Sequence, residues 1–510
     1  MLTFHVENFG CRATQADGAA VERQFETRGL ARASSSEADL VILNTCTVTN
    51  SADQDARAAI RRVQRQNPLA KIIVTGCYAQ RAPEEIAALP GVSAVIGNSH
   101  KHQLAELALP ALSGGPAVEQ RRSAARDLPS SGPILVPEVA VNSRAFVPVS
   151  VLAENRELRT ENWVYVSDIF AHTELLAAPV FESAPHESAR TRPNLKVQDG
   201  CDNRCSFCII PSVRGQSRSL PPSEIIREVK VLVAAGYKEL VISGINLGRW
   251  GRDLDFSPRP SDLGKTAPND VRSSRSAVRR LTPNLESLLG CILAETSLEK
   301  LRISSVEPMD WTDSLIALVA SSPRIAKHAH VPLQSGSDAV LRRMHRKYRP
   351  WHYREKIEKI HAAMPTAAIG ADVMTGFPGE TDAEFEATHR LIAELHFTYL
   401  HVFTYSARPG TPAAAMPNQV PVHVARERNK ILRDLAAEKK RAFMKSAVGT
   451  VLEAITLSTS QPSEPNAPFV TEALTDNYHK LYLNGRHAPN QWLPVRVEKV
   501  SDGALIGSVR

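Results

Sequence analysis

Twice along this 510-residue chain, short apolar runs alternate with segments of helical period, and that alternation restricts the fold more than any other feature. Runs at 2–8, 39–46, 71–77 and 92–98 are interleaved with helical stretches at 15–29 and 51–67. Strand-length runs joined by helical crossovers predict a parallel sheet covered on both faces. The pattern returns with runs at 195–199, 239–244, 301–306, 328–333, 368–376 and 399–406, and helices at 223–235, 286–296, 338–344 and 381–395. Six such units predict a partial or complete β/α barrel, whose chemistry would sit at the carboxyl ends of the strands.

The last stretch changes period. "LPVRVEKV" at 493–500 alternates apolar and polar residues, and "GTVLEAITL" and "HKLYLNG" also read as strands, so a small antiparallel β-barrel is expected. Two segments, 111–190 and 255–284, are rich in Ser, Pro, Ala and Arg and read as insertions, the first partly disordered and the second flexible. The expected organisation is an N-terminal domain at 1–110, the insertion at 111–190, a central domain at 191–443 interrupted at 255–284, and a β-module at 444–510.

With 43% hydrophobic and 23% charged residues the chain reads as globular, and no apolar run approaches the roughly 20 residues a membrane helix requires. The opening "MLTFHVENFGCRATQ" lacks a basic segment followed by an apolar core, so no signal peptide is expected and the cytoplasm is the expected compartment. In that reducing setting, seven cysteines suggest metal or redox chemistry rather than disulfides. The net charge of +7 permits a nucleic-acid partner without arguing for one. Two basic runs stand out. Arg342, Arg343, Arg346, Lys347 and Arg349 lie beside Tyr348, Trp351 and Tyr353, and a second run covers 426–445. Either is a candidate RNA contact or a solvated helix face.

Six of the cysteines form two sets. In "LKVQDGCDNRCSFCIIP", Cys201, Cys205 and Cys208 are separated by three and then two residues. Structural zinc, the plainer alternative, asks for four protein ligands, usually as two pairs. The spacing also matches neither ferredoxin pattern, each of which supplies four cysteines. A three-cysteine cluster site leaves one iron open to a small chelating ligand. Cys11, Cys46 and Cys77 fall at the ends of the first three expected strands, where a parallel sheet would bring them to one edge. Compact buried thiols are the alternative there. The polar or glycine-flanked contexts "NFGCRATQ", "NTCTVTN" and "TGCYAQR" are poor places to bury an inert thiol. Cys291, within "LESLLGCILAE", is expected in the core.

"CDNRCSFC" resembles the CxxxCxxC signature of the radical S-adenosylmethionine (radical-SAM) enzymes. "GCYAQRAPEEI", "VPLQSGSDAVLRRMHR", "DVMTGFPGET" and "FTYSARPGTPAA", with the three N-terminal cysteine contexts, resemble the methylthiotransferase branch in its motif order. The resemblance implies 4Fe–4S clusters on Cys201/Cys205/Cys208 and on Cys11/Cys46/Cys77, with SAM as fourth ligand of the first. It implies a SAM site including Phe207, Ser243, Gly244, Gln334 and Ser335, with Gly376, Pro378 and Gly379 as a rim or an ordinary turn. It also implies an RNA-binding TRAM-like module at the C-terminus.

"LRISSVEP" at 301–308 resembles the branch that acts on N6-threonylcarbamoyladenosine, immediately 3′ of the tRNA anticodon. Isopentenyladenosine tRNA and a ribosomal protein are substrates of sister branches. The implied reaction inserts a methylthio group at C2 of adenine, an unactivated C–H position beyond any side-chain acid or base. A 5′-deoxyadenosyl radical would take the hydrogen, a second SAM would supply the methyl group, and the N-terminal cluster would deliver sulfur. Expected partners are tRNA, a donor such as flavodoxin or ferredoxin, and a sulfur source, with a monomer sufficient. A non-catalytic iron–sulfur sensor and a zinc-bound RNA-binding module are the readings from other classes.

Overall fold

A computed structural model describes residues 1–113, 163–172, 192–254, 283–460 and 469–510. The expected disorder at 111–190 and flexibility at 255–284 therefore fall almost wholly outside the described residues. The chain divides into two compact units, Met1–Leu176 with Ser212–Arg214, and Ala177–Pro211 with Gly215–Arg510. Among the described residues no helix is long and apolar enough to cross a membrane.

The first unit holds a six-stranded sheet of β1 (Thr3–Asn8), β2 (Ala31–Arg32), β3 (Leu40–Thr45), β4 (Lys71–Gly76), β5 (Val92–Gly97) and β6 (Trp163–Tyr165). Its order is β2-β1-β3-β4-β5-β6, parallel throughout. The central strand β3, "LVILNT", is buried along its whole length. Its side chains alternate between faces: Val41 and Leu43 join a core with Ile60, Val63 and Tyr78, while Leu40 and Ile42 join one with Phe4, Phe25 and Leu104. A strand covered on both sides needs apolar residues at every position, which is why it reads as a continuous run. β6 lies inside the expected insertion and was not signalled by the sequence.

The second unit carries β7 (Asn194–Asp199), β8 (Arg218–Ser219), β9 (Glu239–Gly244), β10 (Lys300–Ile303), β11 (His328–His330), β12 (Ala368–Thr375) and β13 (Tyr399–Thr404). β7, β9 and β10 are parallel neighbours, as are β11, β12 and β13, and a bridge between Ser305 and His330 joins the two sheets. The result is a partial barrel of six parallel strands in chain order, with the short β8 antiparallel to β7.

The 25-residue helix Val422–Ser446 packs along β13. Part of its basic character is internal, because the buried Arg428 donates to Glu380 at 2.6 Å and Asp382 at 2.7 Å. It leads to a closed barrel of β14 (Val451–Ser460), β15 (Val470–Thr475), β16 (Lys480–Asn484), β17 (Trp492–Ser501) and β18 (Ala504–Val509), in the order β14-β15-β16-β18-β17.

This small barrel is fastened to the strand-start end of the larger one. Arg302, fully buried, donates to Glu239 at 2.6 Å and to the Asp476 carbonyl at 3.0 Å. Asn477 donates to the Thr366 carbonyl at 3.0 Å, and Asn490 to that of Gly236 at 2.7 Å. The Lys300 ammonium lies over the Trp492 ring. Cys291, expected in the core, is only half-buried: helix Leu285–Glu295 turns Leu285, Leu288, Leu289 and Ile292 inward, and Cys291 flanks that stripe.

Candidate active site

In the first unit, Cys11, Cys46 and Cys77 each follow the carboxyl end of β1, β3 or β4, three adjacent parallel strands. Gly10 makes the approach possible. With φ at +102° and a would-be Cβ 2.6 Å from the Cys46 Cβ, it leaves no room for any side chain. Cys11 is exposed, whereas Cys46 and Cys77 are 5% and 1% exposed. The expectation that their contexts disfavour burial is thus corrected: the flanking residues are polar or glycine, yet Cys46 lies against Gly10 and Cys77 opens the buried helical turn Cys77–Arg81.

Burial pushes the Cys46 thiol up to about 12, with neighbouring Cys77 and then Cys11 adding to the shift. Asn98 Nδ2 donates to Cys77 Sγ at 3.5 Å, and Thr14 Oγ1 lies 3.6 Å from Cys11 Sγ. Beside them is a buried charge cluster. The Asp17 carboxylate accepts from Lys101 at 3.2 Å and Arg214 at 3.0 Å, and Lys101 also reaches Asn44 at 3.1 Å.

In the second unit β7 ends at Asp199 and the loop carrying Cys201, Cys205 and Cys208 begins. Gly200, at φ +70°, brings its α-carbon so close to the Gln216 carbonyl that a Cβ would sit 1.8 Å from that oxygen. The loop is held by backbone bonds from Cys201 to Gly215 and from Cys208 to Cys205, both 3.1 Å. Polar hydrogens point at its sulfurs. The Asn203 backbone N–H and Asn246 Nδ2 donate to Cys201 at 3.4 and 3.6 Å, and Arg346 Nη1 donates to Cys205 at 3.2 Å. Loss of solvent raises the Cys201 thiol and pushes the Cys208 thiol up to about 12, the latter reinforced by Cys205. A free thiol in such a place is held protonated, whereas a coordinated one is deprotonated outright by the metal.

Around this loop, at the carboxyl ends of the barrel strands, buried polar atoms lack partners among the described residues: Ser243 Oγ, Asn246 Oδ1, Ser304 Oγ, Gln334 Oε1 and the Tyr405 hydroxyl. Buried polar groups are normally satisfied, so a cluster of unsatisfied ones at one end of a barrel is a cradle for a polar ligand. Gln334 takes a left-handed backbone, φ +65°, four residues past the end of β11. Phe207 stands edge-on to Phe377 with ring centroids 6.4 Å apart, and Gly244 closes β9. This donor set fits a small zwitterion such as the amino-acid end of SAM.

Ser335 does not belong to the cradle. It is fully buried, and its hydroxyl is engaged by Thr388 Oγ1 and the Ser337 backbone N–H, both 3.1 Å away. The basic run is likewise redistributed. Arg346 and Tyr348 are 7% and 1% exposed and face inward, so neither is presented to RNA. Tyr348 bonds the Pro332 and Leu333 carbonyls at 3.0 and 2.8 Å. Arg343 forks onto Glu384 at 3.0 and 2.8 Å, and Arg349 pairs with Asp338 at 3.2 Å. Arg342 and Lys347 remain on the surface. Sequence reasoning missed Asn246, Glu307, Asn98 and Asp17, because each acts through a partner distant in the chain. Among the described residues no three His, Cys, Asp or Glu side chains converge on one metal ion.

A partial parallel β/α barrel with a three-cysteine loop after its first strand defines a radical-SAM enzyme. The Radical SAM superfamily model matches residues 195–392, and that of Uncharacterized protein family UPF0004 matches residues 3–97. The threonylcarbamoyladenosine tRNA methylthiotransferase MtaB of Bacillus subtilis is 34% identical over 95% of this chain and 91% of its own length. That of Rickettsia prowazekii is 34% identical over 89% and 87%. A tRNA-2-methylthio-N(6)-dimethylallyladenosine synthase of Novosphingobium aromaticivorans is 32% identical over 89% and 86%. The chain belongs to the radical-SAM methylthiotransferase family.

Proposed function

We propose that this protein methylthiolates C2 of N6-threonylcarbamoyladenosine next to the tRNA anticodon. The observation that carries this reading is the pair of separate three-cysteine sets, each at the carboxyl ends of parallel strands. Its support for the substrate is the similarity to relatives named for that nucleoside.

Cys201, Cys205 and Cys208 would hold one 4Fe–4S cluster, and Cys11, Cys46 and Cys77 a second. When bound, the clusters and SAM supply the one-electron chemistry needed at an unactivated C–H bond. The chain's own part is positioning. Ser243, Asn246 and Gln334 present unsatisfied polar atoms to SAM, Gly244 lets the Gln198 side chain pack against the end of β9, where a Cβ would lie 2.8 Å from Gln198 Oε1, and Phe207 offers an apolar wall to the adenine of SAM. Asn203, Asn246 and Arg346 orient the cysteine loop through their N–H bonds to sulfur. Lys347 is exposed for phosphate contacts, and Arg342, exposed but paired with Asp338 at 2.9 Å, would have to exchange that partner for a phosphate. We assign the work to the cytoplasm, with a monomer sufficient, a flavodoxin or ferredoxin as electron donor, and a separate sulfur source.

The test is mass spectrometry of tRNA nucleosides from cells with and without the protein. Loss of 2-methylthio-N6-threonylcarbamoyladenosine without the protein supports the reading. Loss of the methylthio derivative of isopentenyladenosine instead assigns the sister substrate. No change in either overturns a tRNA substrate.

A further inference from the structure

Arg346 was expected to meet RNA, and its surroundings suit a different task. Its guanidinium is buried, with each polar edge occupied: Nη1 on Cys205 Sγ at 3.2 Å, Nη2 on the Glu307 carboxylate, and Nε on the Tyr348 hydroxyl at 3.2 Å. The Tyr348 ring lies 4.9 Å from the guanidinium carbon. The segment bearing Arg346 is also tied to the cysteine loop. Ser206 donates from its backbone to Met344 at 3.1 Å and from its hydroxyl to Arg343 at 2.7 Å, and the His345 ring lies 3.3 Å from the Arg204 carbonyl. The cation therefore cannot drift from the sulfur.

Resting on the assignment of a 4Fe–4S cluster to Cys201, Cys205 and Cys208, we propose that Arg346 is a positioning residue that sets the reduction potential of this cluster through its N–H···S bond to Cys205, with Glu307 moderating its charge. Reduction adds negative charge to the cluster and its thiolates. A donor carrying a positive charge at one sulfur stabilises that reduced form, and hydrogen bonds to sulfur and local charge are recognised levers on such potentials. Glu307 fixes the guanidinium and cancels part of its field. The two residues thus act on the potential with opposite signs, which a purely structural pair would not do.

The test uses the full-length chain with Cys11, Cys46 and Cys77→Ala, reconstituted anaerobically with iron and sulfide so that one cluster remains. Iron is counted, and the signal of the reduced cluster is followed by electron paramagnetic resonance during a redox titration. The parent, Arg346→Gln and Glu307→Gln should each hold about four irons per chain. The midpoint potential should fall in Arg346→Gln, fall less in Arg346→Lys, and rise in Glu307→Gln. Unchanged potentials, or the same direction in the Arg346→Gln and Glu307→Gln variants, overturn the proposal. If Arg346→Gln binds no iron, Glu307→Gln decides alone: its potential must rise. A parent without iron overturns the cluster assignment itself.

Discussion

The Asp17 carboxylate lies 3.0 Å from the Arg214 guanidinium, both side chains 2% exposed, although 197 positions separate them in the chain. Lys101 shares the same carboxylate oxygen. One anion thus balances two buried cations beside Cys46. Asp17→Ala should cost about 3–5 kcal/mol, because it removes a buried carboxylate that two buried cations share. Urea unfolding of the apo chain measures this, and a loss below about 1 kcal/mol would show that water reaches the cluster.

Independent cluster sites should show in the metal content. Wild type reconstituted without oxygen should bind about eight irons, and Cys201/Cys205/Cys208→Ala about four. If wild type binds about four and the triple variant none, Cys11, Cys46 and Cys77 are structural thiols.

The cradle predicts a contrast between neighbours. Gln334→Gly keeps the left-handed backbone comfortable while removing the unsatisfied carbonyl, and Ser243→Ala removes the hydroxyl at the end of β9. Each should weaken SAM binding by about 2–10-fold, the worth of one hydrogen bond. Ser335→Ala should leave SAM affinity unchanged and instead lower stability by about 1–2 kcal/mol, because its hydroxyl serves Thr388 and Ser337. Calorimetric titration with SAM alongside urea unfolding separates the two effects.

His479, 3% exposed in the small C-terminal barrel and stacked on Phe443, titrates at about 4 because burial opposes its charged form and Lys440 adds repulsion. Unfolding restores the ordinary value of about 6.5, so the unfolded chain binds the proton first. The stabilisation is fully present above pH 6.5 and is lost as pH falls toward 4, by roughly 3 kcal/mol. His479→Phe should flatten the stability profile between these limits, and an unchanged slope in that variant would assign the acid sensitivity to other groups.

How much could be read beforehand depended on where the reason for each residue lies. β3, β4 and β9 are buried along most of their length, so their apolar runs announced them within a residue or so. β6 is three residues at a sheet edge, too short to show a period. The cysteine positions were legible because strand ends and spacing are local properties. The role of Arg346 was not, since the carboxylate that draws it inward, Glu307, stands 39 residues earlier. The bond that engages the Ser335 hydroxyl was hidden for the same reason: Thr388 lies 53 residues away.

The seating of the small barrel sets a distance for any RNA that engages it. Arg302, Asn477 and Asn490 hold it at the end of the core where the strands begin, and the Cys201–Cys208 loop opens where β7 finishes. A six-residue strand is about 20 Å long. A nucleic acid that touches the small barrel while inserting a base beside Cys201 must therefore run along the flank of the core for at least that length. In the proposed reaction, a stem resting on the small barrel and the base to be modified would have to lie at least that far apart.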